Sequence, residues 1–152
     1  MLAIKKYAKQ GFTLIELMVV IAIMGLLMAA GLAAYVNAQK TARDARRVQD
    51  VKSIQDAAEQ FKAASATSVY PATLAAMAAN FSTGTPTPPT GGTLISGGSA
   101  TYNYTVDAAN TMYCICTGVE TVARANANST GAAGVCSFVS PGATNYCLSN
   151  QQ

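Results

Sequence analysis

The hydrophobic positions follow three successive patterns along the chain. From Phe12 to Val36 they are nearly continuous: 25 residues whose polar members are Thr13, Glu16 and Tyr35, with Glu16 the one charge. A helix of about 20 apolar residues suffices to cross a bilayer, so this run predicts a membrane span. Between residues 38 and 64 there is no Gly or Pro, and Ala42, Ala45, Val48, Val51, Ile54, Ala58 and Phe61 recur at steps of three and four. That spacing places them along one stripe of a helix. Lys40 with Asp44, Arg46 with Asp50 and Lys52 with Asp56 stand four apart and can pair on the outer face for a few tenths of a kcal/mol each. The two stretches read as one continuous helix, within which Gly25 and Gly31 each cost about 1 kcal/mol of helix propensity relative to Ala.

Beyond the helix, Tyr70-Pro71 ahead of ATLAAMAA predicts a short helix over 71–79, because Pro favours the first helical position. Residues 82–100, STGTPTPPTGGTLISGGSA, read as an exposed loop. The period then becomes two. TYNYTV (101–106) and MYCICTGVET (112–121) are strand-like, with DAANT able to turn a hairpin between them, and GVCSFVS (134–140) and NYCLS (145–149) are further candidates around Pro141-Gly142. The expected fold class is α+β: a long N-terminal helix packed on a small antiparallel sheet of three or four strands over 101–149, one face of which meets the helix stripe from Val48 to Phe61.

Charge sharpens the picture in two places. The formal +3 is carried by Lys5, Lys6 and Lys9, and the rest of the chain is formally neutral. Overall charge therefore gives no support to nucleic-acid binding. The local group Lys40, Arg43, Arg46 and Arg47 suits anionic headgroups, and the same charges could meet DNA phosphates. Glu16 is the second place. An ionised carboxylate at the bilayer centre costs roughly 2.5 to 3.5 kcal/mol, somewhat less near the interface, so Glu16 calls for a partner unless it lies at headgroup depth.

Chemistry-bearing residues are sparse. There is no His, the carboxylates beyond the long helix are Asp107 and Glu120, and no glycine-rich phosphate loop is present. No catalytic residue and no cofactor is predicted. Cys114, Cys116, Cys136 and Cys147 all lie in the final third. In an oxidising compartment a domain with so modest a core is expected to carry disulfides, and four cysteines allow three connectivities. On a strand Cys114 and Cys116 point to the same face, so a bond between them is strained and bonds to Cys136 and Cys147 are favoured. Zinc is the rival use of the four, weakened by the lack of a C-x-x-C knuckle and of any His.

The segment before the span decides the wider reading. A cleavable secretory signal has an apolar region of about 7 to 15 residues and an A-x-A-like site, and this run is too long and lacks a strict A-x-A. Instead a lysine-bearing leader ends in Gly11 directly before Phe12. Gly11-Phe12-Thr13-Leu14-Ile15-Glu16-Leu17 resembles the class III signal of bacterial type IV pilins and type II secretion pseudopilins. The likeness runs from Lys5 to about Tyr35; where many of those proteins have a proline just beyond the position of Gly31, this chain has Ala33.

The resemblance implies a specific programme. A membrane peptidase would cut between Gly11 and Phe12 and methylate the new Phe12 amine, and Glu16 would neutralise that amine on a neighbouring subunit during assembly. A buried charge pair is tolerable only when matched. Lys40, Arg43, Arg46 and Arg47 follow the span while three lysines precede it, so charge counting leaves orientation open; the cleavage motif places the leader inside. The implied organisation is a leader at 1–11, a membrane and filament-core segment at 12–37 and an exported pilin-like head at 38–152. The implied function is a structural subunit of a type IV pilus or similar filament, with a minor pilin or a secretion or competence pseudopilin as one alternative. A non-polymerising membrane-anchored binding module is another. The implied partners are copies of the same chain, the prepilin peptidase and methylase, the assembly platform with its ATPase, and the inner membrane, from which the subunit passes to an extracellular filament.

Overall fold

The computed structural model describes residues 11–82, 84–95, 98–128, 133–139 and 142–150. The leader expected over 1–11 lies outside the described residues except for Gly11. The first helix, α1, is 51 residues long, Leu14–Ala64, with no proline to interrupt it. It contributes to both compact units of the chain, Met1–Ala38 and Gln39–Gln152. In the first unit every described residue is exposed.

The second unit is built on the lower part of α1. Its inward face carries Asp44, Arg47, Val51, Ile54, Gln55, Ala57 and Ala58. This corrects the upper part of the predicted stripe: Ala42 and Ala45 are exposed and Val48 is half-buried. Three alanine and valine side chains offer little area, and a paired Asp44 and Arg47 outcompete them for the protected side. The predicted Lys40–Asp44 surface pair gives way for the same reason.

Three strands form an antiparallel sheet in the order β1-β2-β3: β1 Asn103–Val106, β2 Tyr113–Gly118 and β3 Asn145–Ser149. Together with α1 this is the α+β, pilin-like class that the resemblance implied. Tyr113 and Ile115 of β2 face Val51, Ile54, Ala57 and Ala58 of α1, joined by Tyr70, Met77 and Tyr102. The alternate residues Cys114 and Cys116 are buried on the other face with Ala127 and Cys147, so all of β2 is enclosed. In the β1–β2 turn, the Asp107 carboxylate accepts from the amides of Thr111 (2.6 Å) and Met112 (2.8 Å) and from the Thr111 hydroxyl (2.7 Å). These bonds hold the Asp107 pKa below its ordinary value.

Three expectations need amendment. The helix expected over 71–79 is a 3-10 helix, Leu74–Asn80, capped by the Thr73 side chain rather than started at Pro71. With three residues per turn, positions i and i+3 eclipse, which sends both Leu74 and Met77 into the core. The loop over 82–100 has no helix or strand among its described residues, yet its end is pinned rather than freely exposed. Ile95 N donates to Val119 O (2.9 Å) and Gly118 N to Ser99 O (2.7 Å). A Cβ on Gly118 would strike the Ser99 backbone, so only glycine lets the loop lie there. Finally, 134–140 is not a strand among its described residues. Positive φ at Ala133 and Gly134 breaks the extended path, and what remains is single bridge residues at Val135 and Phe138, Phe138 pairing with Ala127.

Candidate functional site

At the start of α1, Thr13 and Glu16 bond reciprocally. Glu16 Oε2 accepts from the Thr13 amide (2.9 Å) and hydroxyl (2.7 Å), while the Glu16 amide donates to Thr13 Oγ1 (3.3 Å). This is a capping box, which satisfies two helix-end amides that would otherwise lack partners. The signal was present as Thr-x-x-Glu immediately before an apolar run and was not read. Glu16 therefore has a partner within its own chain. Phe12 is 86% exposed, and nothing lies near the face of Gly11 where a side chain would stand. The helix that follows is the one helix among the described residues long and apolar enough to cross a membrane.

The four basic residues after the span separate into two pairs with different surroundings. Glu120, which follows β2, accepts from Arg43 Nε (2.7 Å) and Nη2 (2.7 Å) and from Arg47 Nη1 (2.8 Å). Arg47 Nη1 also reaches Asp44 (2.9 Å). Asp44 in turn accepts from the amides of Glu120 and Thr121, both at 2.9 Å, and from the Thr121 hydroxyl (2.7 Å). The Asp44 and Glu120 side chains are fully buried and that of Arg47 nearly so. The Arg43 guanidinium, seconded by Arg47, pulls the Glu120 pKa down to about 2 against the cost of burial. Arg43 and Arg47 are thus structural cations, and Lys40 and Arg46 remain outside the cluster. Neither Asp44 nor Glu120 was foreseen here, because the bonds span 73 to 77 residues.

The cysteines meet on the sheet face away from α1. Cys114 is bonded to Cys136 and Cys116 to Cys147, its direct neighbour in the β2–β3 register. The two bridges touch: Cys114 Sγ lies 3.5 Å from Cys116 Sγ, and all four sulfurs lie within 4.8 Å of one another. Cys136 is the least buried of the four.

Residues 6–32 match the family model described as the prokaryotic N-terminal methylation motif, the class III signal of type IV pilins. The match covers Gly11, Phe12, Thr13 and Glu16 and ends within the apolar run. Curated proteins and solved structures contain no match to the chain.

Proposed function

We propose that this chain, which carries the prokaryotic N-terminal methylation motif of type IV pilin-like and pseudopilin precursors, is the repeating subunit of a type IV pilus or pilus-like filament. The observation that carries this reading is one conjunction. The motif opens a helix whose apolar upper part is fully exposed, and Glu16 stands four residues beyond Phe12. In the proposed pathway the precursor is anchored in the inner membrane and a prepilin peptidase cuts after Gly11. The Phe12 amine is methylated, and an assembly platform with its ATPase moves the helix from lipid into a bundle of like helices.

A helix apolar on every side suits both surroundings. In the bundle Glu16 would meet the Phe12 amine of a neighbour, each charge acceptable because of the other. The Thr13 bonds suit the same role: they hold the carboxylate at the helix end, beside the peptide bond to be cut. The motif is that of structural filament proteins, and no catalytic step is assigned to any residue.

The decisive experiment expresses single variants as the sole copy and examines both membrane and sheared surface fractions. Gly11→Val should prevent release of a chain beginning with N-methylated Phe12, read by mass spectrometry. Glu16→Leu should leave insertion and cleavage intact and abolish fibres. Thr13→Ala, which removes the cap and keeps the charge, should still give fibres. Normal fibre yield from Glu16→Leu would refute the assembly role, and a chain starting at Phe12 from Gly11→Val would refute the processing role.

A further inference from the structure

Four sulfurs gathered within 4.8 Å of one another are nearly the ligand set of a thiolate metal centre. Tetrahedral zinc with arms of about 2.3 Å sets its sulfurs about 3.8 Å apart, and the gap between Cys114 and Cys116 across the two bridges is 3.5 Å. Cys114 and Cys116 project from one face of β2, Cys147 stands opposite Cys116, and Cys136 closes the group from the segment after Gly134. We propose that, with its cysteines reduced, the head holds one soft divalent cation of the Zn2+ class in a tetrathiolate of Cys114, Cys116, Cys136 and Cys147.

The donor set selects such an ion. It is all sulfur, and soft thiolates favour Zn2+ over hard cations such as Mg2+ or Ca2+. The site is enclosed by Ala127 and the sheet. An opening is present on the Cys136 side, in a cavity of about 340 Å³ lined also by Met112, Val135, Phe138 and Ser149. Binding is electron-neutral: four thiols lose four protons as the metal enters. Two equivalents of a disulfide oxidant, each taking two electrons and two protons and leaving as thiols, then close Cys114–Cys136 and Cys116–Cys147 and release the ion. The metal form and the disulfide form are therefore alternative states of one cluster. This inference does not depend on the filament reading.

The test uses the full-length chain in detergent micelles, reduced by a phosphine under argon and titrated with Co2+. The expected result is one Co2+ per chain with the intense visible absorption and sulfur-to-metal charge transfer of a tetrahedral tetrathiolate. One equivalent of Zn2+ should abolish that absorption and protect all four thiols from alkylation. Zn2+ should also restore the near-ultraviolet dichroism of the packed Tyr70, Tyr104 and Tyr113 wherever reduction has erased it. If the reduced head stays folded without metal, Zn2+ must raise its unfolding midpoint. Cys136→Ser should shift the spectrum to that of a three-thiolate site. The disulfide form should bind no Co2+. An octahedral Co2+ spectrum, half-stoichiometric binding, or thiolate absorption with neither tyrosine signal nor midpoint responding to Zn2+ would overturn the proposal.

Discussion

Replacing Glu120 with Gln tests whether the buried ion cluster fastens the head to its helix. The substitution keeps the shape and removes the charge that three short bonds from Arg43 and Arg47 share. Arg47, only 4% exposed, is left with Asp44 as its carboxylate partner and a long bond to Pro89 O (3.5 Å). Removing one partner of a buried pair costs about 3 to 5 kcal/mol, and the 23% exposure of Arg43 points to the lower end. Linkage gives an independent figure. A carboxylate whose pKa falls from 4.5 to about 2 on folding contributes about 3 to 4 kcal/mol, at about 1.4 kcal/mol per unit. Because the folded pKa is the lower one, this stability is complete above pH 4.5 and is lost as the pH falls toward 2. Denaturant unfolding of the detergent-solubilised chain, followed by near-ultraviolet dichroism, should show Glu120→Gln less stable by about 3 kcal/mol at pH 7. The difference from wild type should shrink steadily below pH 4.5. A difference under about 0.5 kcal/mol at pH 7, the range of an ordinary surface substitution, or one that does not change with acid, would refute this account.

Three other outcomes follow from the head. Gly92 has φ of 81°, and a Cβ there would meet the Glu120 carboxylate, so Gly92→Ala should cost at least about 1 kcal/mol in the same unfolding assay. The Tyr104 hydroxyl is buried without a partner among the described residues while its ring stacks on Tyr113 with centroids 5.5 Å apart; Tyr104→Phe should therefore be neutral or stabilising by up to about 1 kcal/mol, and a destabilisation above about 1 kcal/mol would reveal a hidden bond. Removing the Cys116–Cys147 bridge as a double alanine variant should cost about 2 to 4 kcal/mol, measured by thermal unfolding, and an unchanged midpoint would show the bridge to be idle.

Legibility in the sequence followed the range of the interactions. The apolar span, the continuity of α1 and the Asp107 turn depend on neighbours within a few residues, and residue order shows them. The strands β1 and β2 were legible for a similar reason, since their Tyr and Val residues carry strong local preferences. The Arg43–Glu120 contact joins residues 77 apart, and no local pattern distinguishes Glu120 from a solvated carboxylate. The face of α1 was misjudged at its upper end because Ala42 and Ala45 bury too little area to outweigh a satisfied Asp44–Arg47 pair. The 134–140 segment has strand-forming side chains, but backbone conformation at Ala133 and Gly134 overrides them. The Thr13–Glu16 box was missed although its signal is local.

The polar bonds between α1 and the rest of the head share one geometric property. Asp44 and Arg47 hold the Glu120–Thr121 corner, Asp50 takes the Tyr102 hydroxyl, Gln55 donates to Ser149 O, and Glu59 accepts from Tyr70 and Tyr113. These attachments follow one another down the helix beside the apolar stripe of Val51, Ile54 and Ala58. Apolar packing alone discriminates weakly between neighbouring registers, since small side chains of similar volume replace one another at modest cost. A slip of one turn, about 5.4 Å, would break every polar attachment at once, leaving the buried Glu120 carboxylate without Arg43 and Arg47 and the Asp44–Arg47 pair without its bonds to the Glu120–Thr121 corner. The apolar stripe supplies the adhesion of the sheet to α1, and the polar series sets the axial position at which it adheres. On the filament reading proposed above, that division of labour would keep the sheet from creeping along the lower part of α1 under load.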